Sequence, residues 1–195
     1  MIQVMINKIF SPIWKDASQS GFTIIELLTV IAIILFLSAM VFANYHAGDN
    51  ELSLELEANN VAADIRKVQE MGLSAPEVPG FADQIIGGYG VYFTSAAGSN
   101  ESYSFFVDNN PLNGQFDPGP GGDTVLQTIS LDANYYIASV DTNAVSILFV
   151  PPEPSTKITG TAGNLAQATI LIASRNDPSL TRSIVVDKAG LIYVH

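Results

Sequence analysis

Three hydrophobic patterns follow one another along the chain. Residues 27–43, LLTVIAIILFLSAMVFA, carry no charge, and isoleucine, leucine, valine and phenylalanine fall on every face of a helix. Such a helix is buried in lipid or among other helices. Counted from Phe22 to Tyr45, the run exceeds the ~20 residues needed to cross a ~30 Å hydrocarbon core. In residues 51–74, ELSLELEANNVAADIRKVQEMGLS, the pattern narrows. Leu54, Ala58, Val61, Ile65 and Val68 recur at four- and three-residue steps, which is one stripe of an amphipathic helix. Glu51, Glu55, Glu57, Asp64, Arg66, Lys67 and Glu70 lie mostly off that stripe. From residue 88 onward the apolar residues fall into short runs rich in Val, Ile, Tyr, Phe and Thr, separated by turn residues, the signature of strands.

These patterns predict a helix over 22–74, about 75 Å long at 1.5 Å per residue. It stops before APEVPG, where two prolines forbid continuation. Gly48, Asp49 and Asn50 weaken helix between its two halves, and Asp49 could cap a new start there. The predicted strands cover 89–95, 102–108, 124–130, 133–140, 144–150, 166–174, 182–187 and 191–194. Residues 187–190, DKAG, read as a hairpin turn between the last two. Short spacings between strands imply antiparallel pairing. VPPEPSTKITG (150–160) reads as a proline-rich surface loop. The expected fold class is α+β: a long N-terminal α-helix packed on a C-terminal antiparallel β-sheet domain. The expected division is 1–21 leader, 22–46 hydrophobic helix, 47–74 amphipathic half and 75–195 β domain.

Charge narrows the function. Lys+Arg is 8 and Asp+Glu is 19, a net charge of −11, which argues against a phosphate-backbone ligand. The chain has no cysteine, so neither a disulfide framework nor thiol chemistry is available. The two histidines, His46 and His195, sit in no catalytic or metal-binding motif, and His46 reads as an interfacial or solvated residue. Lys8 and Lys15 precede the apolar run with one acid, Asp16, while Asp49, Glu51, Glu55 and Glu57 follow it before any cation. That bias places the N-terminus in the cytoplasm and the remainder outside.

One residue does not suit a plain anchor. Glu26 opens the apolar run, four residues after Phe22, and an ionised side chain at bilayer depth costs roughly 2.5–3.5 kcal/mol. An ordinary single-span anchor explains the length of the run but not this acid. A secretory signal cut after VFA, at Ala43, would have a shorter apolar core without an acid. A buried core helix fits neither the run's length nor the charge asymmetry.

GFTIIELLTVIAII resembles the N-terminal signature of type IV pilins and type II secretion pseudopilins: glycine, phenylalanine, three apolar or small residues, glutamate, then a long apolar helix. The resemblance spans about 25 residues from Gly21. It implies the pilin fold, cleavage by a prepilin peptidase between Gly21 and Phe22, and N-methylation of the new Phe22 amine. It also implies a salt bridge in which Glu26 meets the N-terminal amine of a neighbouring subunit. The partners it implies are other pilin or pseudopilin subunits, the peptidase and the cytoplasmic membrane, where the precursor is a single-pass protein before it joins an extracytoplasmic filament. The protein would be a structural subunit and not an enzyme. Removing the leader takes the net side-chain charge to −12. The proline that many pilins carry about twenty residues after the cut is replaced by Ala43. The ending RSIVVDKAGLIYVH looks like the H-type pseudopilin and FimT-like minor pilins. Some of that group bind DNA through C-terminal basic residues, but only Arg175, Arg182 and Lys188 lie there, so nucleic acid is not expected. The competing class is a membrane-anchored extracytoplasmic binding domain that never polymerises.

Residues 108–123, DNNPLNGQFDPGPGGD, leave two readings open. Asp108, Asn110, Asn113, Asp117 and Asp123 are hard oxygen ligands on a glycine-rich loop and suit Ca²⁺. The spacing resembles the start of an EF-hand with one residue too many and no closing glutamate. The same residue types equally make a polar turn region.

Overall fold

The computed structural model describes residues 21–74, 86–151 and 155–195. Residues 1–20, most of the expected leader, and the proline-containing segment after residue 74 lie outside the described residues. The chain forms two compact units, Met1–Tyr45 and His46–His195.

Helix α1 is Ile24–Ser74. It begins two residues later than the hydrophobic pattern suggested, because Thr23 caps it: the Glu26 N–H donates to Thr23 Oγ1 at 3.3 Å, and the Leu27 N–H to the Thr23 carbonyl at 3.1 Å. The helix spans Ile24–Ser74, and the division between the two units falls at Tyr45/His46, beside the weak point expected at Gly48.

In the second unit the stripe is buried as its period required. Leu54, Ala58, Val61, Ala62, Ile65 and Val68 are at most 1 % exposed. They share one core with residues of two antiparallel sheets. The larger sheet has the order β3-β2-β1-β5-β6-β7, and the smaller β10-β9-β8-β4. The strands are β1 Gly88–Thr94, β2 Ser102–Asp108, β3 Thr124–Ser130, β4 Tyr135–Val140, β5 Ala144–Val150, β6 Ser155–Gly160, β7 Gly163–Asn164, β8 Gln167–Ser174, β9 Thr181–Asp187 and β10 Ile192–Val194. The expected antiparallel domain is divided into two sheets, a division the sequence pattern did not mark. Long-range pairs make the division: β1 pairs with β5, and β4 with β8.

The proline-rich loop expected over 150–160 is corrected in part. Residues 155–160 form β6, which pairs with β5 from Val150↔Ser155 to Val145↔Gly160. Its buried positions are Thr156, Ile158, Thr159 and Gly160, so only one large apolar side chain marks the strand.

Polar ties fix the second half of α1 against both sheets. The Tyr103 phenol on β2 donates to Asp64 Oδ2 at 2.6 Å. Burial, and then that bond, hold the Tyr103 proton well above the usual tyrosine range. Arg66 and Gln69 donate to the carbonyls of Ile192 and Gly190 at the β9–β10 hairpin, and Arg182 on β9 pairs with Glu51 at 2.8 Å. At the helix end, Gly72 passes so close to Phe149 that an added Cβ would lie 2.6 Å from the Phe149 Cβ. The DKAG hairpin forms as expected. Gly190 takes φ +79°, its N–H bonds the Asp187 carbonyl, and the Asp187 side chain accepts from Ala189 and Leu191.

Candidate functional site

The first unit is built around an apolar surface. Ile24–Phe42 is long and apolar enough to cross a membrane, with mean hydropathy 2.7 and no residue buried within the chain. Phe22, Ile24, Ile25, Leu27, Leu28 and Phe36 are each 59–84 % exposed. Among the described residues no packing offsets the cost of presenting these side chains to water, so a second apolar phase must receive them.

Gly21 and Phe22 lie ahead of the helix. An added Cβ at Gly21 would meet nothing within 4 Å, and the backbone there is outside regular structure. A protease that reads an extended segment needs such a peptide bond. Glu26 is exposed in the first turn, where the positive end of the helix dipole favours a carboxylate. Thr23 and Glu26 stand at the spacing of a capping box, S/T-x-x-E. Thr23 was missed in the sequence reading, although T-x-x-E ahead of an apolar run is its signal.

The loop 109–123 turns out to be a flap on the larger sheet. Its Phe116 ring packs against Tyr92 and Phe106, with centroids 4.8 and 5.1 Å away. The Phe116 N–H donates to Ser146 Oγ at 3.0 Å, and Lys157 Nζ donates to the Asn113 carbonyl. Gly90 lies beneath Phe106, where an added Cβ would come within 2.4 Å of the ring.

The five candidate calcium ligands hold this flap closed. Asp123 Oδ1 accepts from the N–H groups of Asn109 and Asn110 at 3.1 and 3.2 Å, and its Oδ2 from Asp117 N–H at 2.9 Å. Asp108 Oδ2 accepts from Gly114 N–H at 2.9 Å. Asn113 Nδ2 donates to Asp117 Oδ2 at 2.8 Å while its Oδ1 accepts from Gln115 N–H, and Asn110 Nδ2 donates to the Gly121 carbonyl. Asp108 Oδ2, Asn113 Oδ1, Asp117 Oδ2 and both Asp123 oxygens thus accept from N–H groups within residues 108–123. Among the described residues no three His, Cys, Asp or Glu side chains are grouped to hold a metal ion. Burial pushes the Asp108 carboxyl above the usual carboxylate range, with the nearby Asp123 charge adding to it against the Gly114 N–H and Lys157. Its Oδ1 is buried without a hydrogen-bond partner.

Residues 16–42 match the family model described as the prokaryotic N-terminal methylation motif, the signature of type IV pilins and pseudopilins. The match takes in Gly21, Phe22, Thr23 and Glu26 and ends within the apolar helix. The motif points to a structural, pilin-like precursor that assembles with other pilins after processing, and the apolar helix fits a membrane-anchored form. No curated protein and no solved structure gives a significant match to the chain.

Proposed function

We propose that this chain is a subunit, of the minor pilin or pseudopilin kind, of a type IV pilus or a type II secretion pseudopilus. The precursor inserts with its N-terminus in the cytoplasm. Prepilin peptidase cuts between Gly21 and Phe22, the Phe22 amine is methylated, and the apolar helix then leaves lipid for the core of a filament.

The observation that carries this reading is the pairing of an acid with a wholly exposed apolar helix, directly after an accessible Gly-Phe junction. A lipid anchor alone has no use for Glu26. A filament core does: a carboxylate and a terminal amine from adjacent copies neutralise each other where either alone would be costly. The net stabilisation from such a buried pair is small, but a missing partner leaves an uncompensated charge, typically at about 3–5 kcal/mol. The pair therefore sets register during assembly.

The test is Glu26→Ala in the native host, scored for membrane insertion and for recovery in sheared filaments. The variant is expected to insert normally and to drop out of the filament fraction. Full recovery in filaments would refute the pairing. Absence of the wild-type chain from every filament fraction would favour an anchored domain that does not polymerise.

A further inference from the structure

Where the flap meets the sheet it leaves an open cleft of about 120 Å³. Its walls come from four segments distant in sequence: Tyr92 on β1, Gln115 and Phe116 on the flap, Ser146 on β5, and the end of β6 with Thr161 beyond it. The Thr161 corner is held by an unusual backbone. Thr142 and Asn143 both adopt left-handed conformations, φ +60° and +67°. They let Thr142 Oγ1 accept from Thr161 N–H at 3.0 Å and the Thr142 carbonyl accept from the Thr161 hydroxyl.

The chemistry of the lining is selective. None of its side chains carries a charge, in a protein of net charge −11. A phosphate, carboxylate or ammonium group would be desolvated there without a counter-charge. One side of the cleft is aromatic, Tyr92 and Phe116 tilted at 42° to each other. Among the described residues, the Tyr92 hydroxyl and the Gln115 side-chain amide make no hydrogen bond, although both residues line the cleft and are half-buried. Ser146 Oγ accepts from Phe116 N–H, which leaves its own O–H to donate. The site thus offers an apolar aromatic wall beside unspent neutral donors and acceptors, the composition of a small-molecule pocket. A pyranose ring has the matching anatomy: one face of C–H groups and an edge of hydroxyls that both donate and accept.

We propose that this cleft binds a single neutral sugar ring, with Tyr92 as its platform and Gln115 as the residue that reads its hydroxyls. The proposal does not depend on polymerisation. A ligand of about 12 heavy atoms at an ordinary efficiency per atom binds in the millimolar range.

Saturation-transfer-difference NMR tests it on the full chain, held in a zwitterionic detergent without a sugar headgroup. The probes are D-glucose, D-galactose, D-mannose and N-acetyl-D-glucosamine. At least one is expected to receive saturation at its ring C–H protons. Gln115→Leu is expected to weaken that binding about fivefold or more, the factor for one hydrogen bond. Tyr92→Phe, which keeps the ring, is expected to weaken it less, and both variants should keep the wild-type thermal midpoint. The proposal is overturned if none of the four sugars receives saturation at tens of millimolar. Binding that Gln115→Leu leaves unchanged in a folded protein overturns it equally.

Discussion

Residues 24–42 and 54–68 belong to one helix and contain the same aliphatic side chains, yet their surroundings are opposite. In the first stretch Ile33 and Leu35 stand 59 and 64 % exposed; in the second Leu54 and Ile65 are 0 % exposed. The difference lies in the polar residues between the aliphatics. Charges off the 54-58-61-65-68 stripe leave that half one apolar side, and two sheets of the same chain cover it. The first half has no polar side, and among the described residues nothing covers it. One half of the helix is thus written for a partner inside the chain and the other for a partner outside it.

Paired substitutions test that contrast most strongly. Ile65→Ala should cost about 2–5 kcal/mol of domain stability in denaturant unfolding followed by β-sheet circular dichroism. Ile33→Ala should leave the same transition within about 0.5 kcal/mol, as substitutions away from packed sites do. Equal losses at both positions would mean that the first half is packed within the chain after all.

A smaller effect is expected at the polar tie between the second half and β2. Tyr103→Phe removes the donor to Asp64 Oδ2 and should cost about 1.5–3 kcal/mol, the value of a hydrogen bond to a charged group. The loss should vanish in an Asp64→Asn, Tyr103→Phe double variant if the unpaired carboxylate is what destabilises.

The smallest effect is a pH slope confined to the β domain. Burial raises the Asp108 carboxyl above its ordinary value of 3.8. Its contribution to stability is complete below that value and is lost as pH rises through the raised one. Asp108→Asn should therefore flatten this part of the stability profile relative to wild type, with no change in membrane partitioning, which belongs to the first half. An unchanged profile would remove Asp108 as its source.

Much of this architecture was legible from local pattern. Strands β1 to β5 and β8 to β10 were readable because each concentrates β-branched and aromatic residues between turn formers. Strand β6 was not, since STKITG holds one large apolar residue and follows three prolines. Its partner β5 makes it a strand through main-chain pairing that no local pattern records. The separation into two sheets was hidden for the same reason. In the acidic loop the residue types were visible but their targets were not. Asp108, Asp117 and Asp123 accept from N–H groups of the loop, and Phe116, which anchors the flap, looked like one apolar residue in a polar segment. At the N-terminus the reverse holds: glycine, phenylalanine and glutamate announce themselves by spacing, and the structure adds the Thr23 cap and the exposure of the junction.

The central claim is that the first half of the helix is released by a cut at Gly21–Phe22 to join other copies. Intact-mass and N-terminal peptide mass spectrometry of the protein from its native membrane and filament fractions tests it directly. The expected product lacks residues 1–21 and begins with a singly methylated Phe22. A product that retains the Gly21–Phe22 bond, or one that begins at Asn44, would contradict the claim.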